Sequence, residues 1–128
     1  MPDDNIKDWL TFAQRDYDIA CYLSQNFRPL PVENICYGCQ QAIEKALKAV
    51  LIHYAGNYPK THDIELLQEL CKEYTDAIDL TISITKTLTR FATKSRYPDN
   101  VNDFAPEDAA LAIKYGKIVL DKVKQLLA

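Results

Sequence analysis

From Ile35 to Tyr54 apolar side chains return every three or four residues, through Ile35, Cys39, Ala42, Ile43, Ala46, Val50 and Tyr54, with Leu47 and Leu51 widening the stripe. That spacing follows the 3.6-residue turn of an α-helix, so the stretch predicts a long amphipathic helix whose apolar face other elements must cover. Glu33 and Asn34 are its capping candidates, and Gly56, Asn57 and Pro59 end it. Its polar residues Gln40, Gln41, Glu44, Lys45 and Lys48 gather in the middle, where Glu44 and Lys48 stand in the better orientation for an i,i+4 pair.

The rest of the chain supplies partners of the same kind. Ile6, Trp9, Leu10, Ala13, Tyr17, Ala20, Cys21 and Phe27 form a first helical stripe that ends before Pro29 and Pro31, with Arg15 and Asp18 opposite. Asp16 is the exception, because it falls on the flank of that stripe, where a carboxylate requires a partner. Thr61 suits an N-cap, Asp63 and Glu65 suit the first turn, and Ile64, Leu67, Leu70, Cys71 and Tyr74 give a third, shorter face. Pro106, Glu107 and Asp108 open a last helix whose stripe runs from Ala109 to Leu127.

Between these lies an ambiguous segment. Leu80, Ile82, Ile84 and Leu88 alternate with Thr81, Ser83, Thr85 and Thr87, a period of two that reads as a half-buried strand. No second strand exists to pair with it, and a lone strand leaves its backbone groups unsatisfied. Since Ile84, Leu88, Phe91 and Ala92 fit a helical face, the segment is read as a helix. Lys94 to Ala105, with Pro98, Asp99, Asn100, Asn102 and Asp103, carries loop chemistry. The expectation is an all-α, up-and-down bundle of about five helices, with residues 1–128 as one domain.

Charge and cysteine usage exclude several function classes. Fifteen basic residues against eighteen acidic ones give a net charge of −3, which offers a polyanion no general attraction. No run approaches the ~20 apolar residues of a membrane span, and Pro2, Asp3 and Asp4 are unlike a secretory leader, so a cytoplasmic protein is expected. Cys36 and Cys39 form a Cys-x-x-Cys pair without the βαβ context of its redox form, while Cys21 and Cys71 stand too far apart to complete a zinc site. Free thiols packed in helix interfaces are expected, with no metal and no cofactor.

Three patterns occur in order: the run Gln41 to Ala49 (QAIEKALKA), Thr61-His62 opening the third helix, and Arg96-Tyr97-Pro98 after the fourth. Together with the Asp16 helix carrying Trp9, they make the whole chain resemble the HEPN family. The resemblance implies a bundle that dimerises and is often encoded beside a minimal nucleotidyltransferase in a two-component toxin–antitoxin module. It also implies nucleotide binding and, in many branches, metal-independent RNA cleavage. The ribonuclease branch carries an Arg followed after four to six residues by a His. After Arg96 those places hold Val101, Asn102 and Asp103, and after Arg90 they hold Ser95, Arg96 and Tyr97, so the motif is absent.

Cleavage by the RNA's own 2′-hydroxyl needs a proton carrier with a pKa near neutrality, a task that Arg96 cannot perform. Only His53 and His62 are available. His53, late on the second helix, reads as a partly buried helix residue; His62, at a helix N-terminus, stands where an anion finds free N–H groups, although a capping or loop-packing role is also open to it. The ligand-binding candidates are Asp16, Gln41, Lys45, Lys48, Thr61, His62, Arg96 and Tyr97, with Arg96 and His62 the catalytic candidates. Either these side chains satisfy one another, Asp16 pairing with Lys45 or Arg96, or Lys45, Lys48 and Arg96 make a phosphate pocket with Tyr97 stacking on a base. Three functions follow: a binding or partner subunit for a nucleotide, an RNA or a nucleotidyltransferase; a divergent ribonuclease; or a structural dimerisation module.

Overall fold

Every backbone amide in a helix interior is satisfied within its own segment, so the architecture reduces to where each helix starts, where it stops and which face it buries. The computed structural model describes residues 5–94 and 103–128. Among them are five helices: α1 (Ile6–Asn26), α2 (Val32–Ala55), α3 (Ile64–Lys72), α4 (Ile82–Lys94) and α5 (Pro106–Leu126). No strand occurs among the described residues, and the all-α bundle read from the periodicity is the fold observed. Arg96, Tyr97 and Pro98 lie outside the described residues.

The central element is α2. It packs against α1, α3, α4 and α5, while α1 also meets α5 and α3 meets α4. Its stripe is therefore wider than one face: Ile35, Cys36, Ile43, Leu47, Ala49 and Val50 are all fully buried. The helix begins earlier than Glu33 and Asn34 suggest, with Pro31 as the cap residue and Glu33 in the first turn. It closes at Gly56, whose left-handed φ of 79° lets its N–H reach the Ile52 carbonyl at 3.0 Å.

Other ends also differ by a residue or two. Asn5 caps α1, its side chain accepting from the N–H of Lys7 at 3.0 Å. The cap of α3 is Asp63, which accepts from Leu66, whereas Thr61 forms a turn by accepting from the Asp63 N–H at 3.1 Å. At the start of α5 the Asp108 carboxylate accepts from the Ala105 N–H at 2.9 Å. Phe27, placed on the first stripe, lies past the end of α1 and is exposed. Tyr54 and Tyr74, placed on the second and third, are also exposed and stack on each other with centroids 5.4 Å apart and planes 6° from parallel.

The threonine-rich segment becomes a helix for two local reasons. Thr81 caps it, its hydroxyl accepting from the Ile84 N–H, and the hydroxyls of Thr85 and Thr87 bond back to the carbonyls of Ile82 and Ser83. This back-bonding satisfies residues that would otherwise favour a strand. Just before the helix, a side chain takes the place of a strand partner for Leu80: the Gln68 amide donates to the Leu80 carbonyl at 2.8 Å and accepts from its N–H at 2.7 Å. Gln68 is itself buried on α3.

All four cysteines are free thiols, and Cys36, Cys39 and Cys71 are buried. Burial pushes the thiols of Cys39 and Cys71 up to about 12 and that of Cys36 well above its usual range, which suppresses the reactive thiolate. Near Cys39, Gly116 on α5 permits close packing, since a Cβ there would lie 2.9 Å from Cδ1 of Tyr17.

A Gln68→Leu variant keeps the side-chain volume but strands two buried backbone groups. It is expected to lose about 2–4 kcal/mol in urea unfolding at neutral pH. A loss under about 0.5 kcal/mol, within the range of an ordinary surface change, would mean that water takes over both bonds.

Candidate functional site

Three polar side chains, Gln40, Glu44 and Lys48, follow one another at four-residue steps along α2 and are buried within an otherwise apolar helix. A carboxylate in such surroundings costs several kcal/mol unless it is paired and hydrogen-bonded. Glu44, only 3% exposed, has all of these partners. It accepts from Lys48 Nζ at 2.7 Å, from Gln40 Nε2 at 2.8 Å and from Gln41 Nε2 at 3.4 Å. Both of its oxygens lie within 3.1 Å of Nδ1 of His62, which reaches in from the loop before α3.

Burial works against the charged form of Glu44, but the hydrogen bonds from Lys48, His62 and Gln40 outweigh it and hold the carboxyl below its usual range. An ionised carboxylate can only accept, so the proton on Nδ1 belongs to the imidazole and Nε2 is left as its second polar atom. The His62 side chain is 57% exposed. Lys48 also lies 5.3 Å from the ring of Tyr58, and that ring meets the edge of Trp9 on α1 at 5.2 Å. The cluster thus joins α1, α2 and the loop before α3.

Each sequence candidate has a definite place. Asp16 pairs with Lys45 at 2.5 Å, tying α1 to α2, and both side chains are partly exposed. Gln41 and Lys48 belong to the Glu44 cluster, with Gln41 also donating to the Gln40 carbonyl oxygen at 2.8 Å. His62 joins them, while Thr61 serves the turn at Asp63. Arg96 and Tyr97 lie outside the described residues. Lys45 and Lys48 do share one helix side, yet each is already neutralised by its own carboxylate. His53, expected to be partly buried, is exposed and sits edge-on to Tyr54. Among the described residues no three His, Cys, Asp or Glu side chains converge as a metal centre requires.

Sequence reasoning missed Glu44 as the hub and Gln40 as its support. The available signal was the Gln40, Glu44, Lys48 line itself. At four-residue steps that line runs alongside Cys36, Ile43, Leu47 and Leu51 of the apolar stripe, which turns it toward the bundle.

The depressed Glu44 carboxyl stabilises the fold above its unfolded value of 4.5, and that contribution is lost as pH falls through the lower, folded value. Glu44→Gln is expected to cost roughly 3 kcal/mol at about pH 7, because it leaves Lys48 buried without its counter-charge. Chemical unfolding repeated down to about pH 3 should show the gap between wild type and variant narrowing, since only the wild type loses this contribution. A gap independent of pH would disprove the role of the ionised carboxylate.

Comparison with known proteins agrees with this architecture. TT1696 from Thermus thermophilus superposes with a TM-score of 0.73 at 22% identity, covering 94% of this chain and 96% of that one. ST0689, described as an archaeal HEPN homologue, gives 0.68 at 22% identity, covering 97% and 98%. At that identity the likeness concerns the fold. No curated protein sequence matches. The HEPN domain model, however, matches residues 6–126, which takes in all five helices and the Glu44 cluster, and the chain belongs to the HEPN domain family.

Proposed function

We propose that this HEPN domain is a binding subunit that takes a nucleotide or RNA ligand, pairs with a minimal nucleotidyltransferase, or does both, as a homodimer in a two-component toxin–antitoxin-type module. The observation that carries this reading is the exposed imidazole of His62 held by a buried, fully partnered carboxylate. Holding a carboxylate inside the central helix is costly, and what the arrangement presents outward is a fixed hydrogen-bonding group. With Lys45 and Lys48 neutralised internally, recognition falls to hydrogen bonding by His62 and Gln41 and to Arg96 and Tyr97 for phosphate and base.

A divergent ribonuclease is the second reading, and the same geometry favours it. A carboxylate bonded to Nδ1 fixes the tautomer and leaves Nε2 able to take a proton from a 2′-hydroxyl, as in other carboxylate-supported histidines. The absent histidine after Arg96 weighs against it.

Titration calorimetry with nucleoside mono- and triphosphates and a short RNA, together with co-purification with a minimal nucleotidyltransferase, tests the binding reading. At least one partner should bind, His62→Ala or Arg96→Ala should weaken it about tenfold or more, and labelled RNA should remain intact. Cleavage that disappears in the His62→Ala, Arg96→Ala double variant would establish the ribonuclease instead. Absence of every partner, with a stable dimer, would leave a structural module.

A further inference from the structure

The chain holds two histidines, and the fold treats them differently. His53, late on α2, is exposed, meets Tyr54 edge to face with centroids 4.7 Å apart, and has no carboxylate partner among the described residues. His62 is exposed as well, but its Nδ1 lies 3.0 and 3.1 Å from the two oxygens of Glu44. That carboxylate is buried and is held in turn by Lys48, Gln40 and Gln41, which fix its position. The imidazole proton therefore stays on Nδ1, and the lone pair of the ring belongs to Nε2.

A nitrogen whose lone pair is fixed in this way is a nucleophile as well as a hydrogen-bonding group. When Nε2 attacks a phosphorus atom, the N–P bond forms as the bond to the leaving group breaks, and positive charge develops on the ring. Nδ1–H then donates to a carboxylate that is already ionised and already oriented, so the new charge is met without rearrangement. Lys48 balances the charge of Glu44 at 2.7 Å, so the pair does not repel an anionic donor. Nδ1 of His62 cannot compete for the phosphorus, because it faces Glu44. His53 has none of this support, which makes it an internal reference of the same side-chain type in the same chain.

We infer that Nε2 of His62 is a covalent acceptor for a phosphoryl group, taken from a donor with a good leaving group such as a phosphoramidate or an acyl phosphate. The inference rests on the reading of His62 as the outward-facing group of the site and adds a chemistry to it. With phosphoramidate the Nε2–P bond forms, the P–N bond breaks, ammonia departs with the electron pair, and Nδ1 keeps its proton. Purified chain incubated with phosphoramidate at about pH 8, where a free imidazole is neutral, should gain an acid-labile phosphoryl group. Peptide mass spectrometry should find it on His62, formed about fivefold or more faster than on His53, and phosphorus–proton NMR correlation should place it on Nε2. Glu44→Gln, with helix content by circular dichroism unchanged, should bring the His62 rate down to that of His53. If that variant does not fold, the competition between the two histidines of the wild type decides alone. Equal rates at the two histidines, attachment through Nδ1 of His62, or an undiminished rate in folded Glu44→Gln would overturn the inference and leave the binding reading intact. Labelling of His62 in a chain that binds no nucleotide, RNA or nucleotidyltransferase would do the reverse.

Discussion

The packing of α2 against four other helices is the constraint from which the other features follow. A helix that packs against four others keeps little solvent face on which to shed polar side chains, so the buried Gln40, Glu44 and Lys48 must find partners inside the bundle or at its edge. Glu44 meets that demand with Lys48, Gln40, Gln41 and His62, and Lys45 meets it with Asp16. Among the described residues no buried side-chain nitrogen or oxygen lacks a hydrogen-bond partner. The same residues that could serve recognition are thus also those that make a mixed helix tolerable at the centre.

This dual duty gives the cluster its chemical character. A buried ion pair adds little to stability compared with well-packed apolar side chains, but losing one member leaves the other stranded, so the cluster is all-or-none. His62 is its exposed member and is held from below, while the lysines are occupied. The site therefore resembles a hydrogen-bonding post more than an anion trap, consistent with a chain whose overall charge is negative.

How much of this was legible in the sequence depended on range. Stripes such as Ile35 to Leu51 are visible because 3.6-residue periodicity is a local property, and the ends marked by Pro106 and Gly56 are visible because their backbone chemistry is local too. The Leu80 to Leu88 segment is ambiguous on its own because its helicity depends on threonine back-bonding and on Gln68, twelve residues before Leu80. Glu44 reads from the sequence as half of an i,i+4 pair with Lys48, because local spacing does not show that both side chains are buried or that His62 reaches in. The pairing of Asp16 with Lys45 was one of two partners that its flank position left open, and only the packing of α1 on α2 selects between them.

One small contact ties the start of α3 to α4. The N–H of Ile64, at the start of α3, donates at 2.9 Å to the hydroxyl of Thr89, which lies inside α4. The first turn of α3 is thereby indexed to the rotation of α4 about its own axis, since a shift of one residue swings the acceptor by about 100° and withdraws it. His62 stands two residues before Ile64. The segment that carries His62 into the Glu44 cluster is therefore anchored on two sides, to α2 through the carboxylate and to α4 through a single hydroxyl.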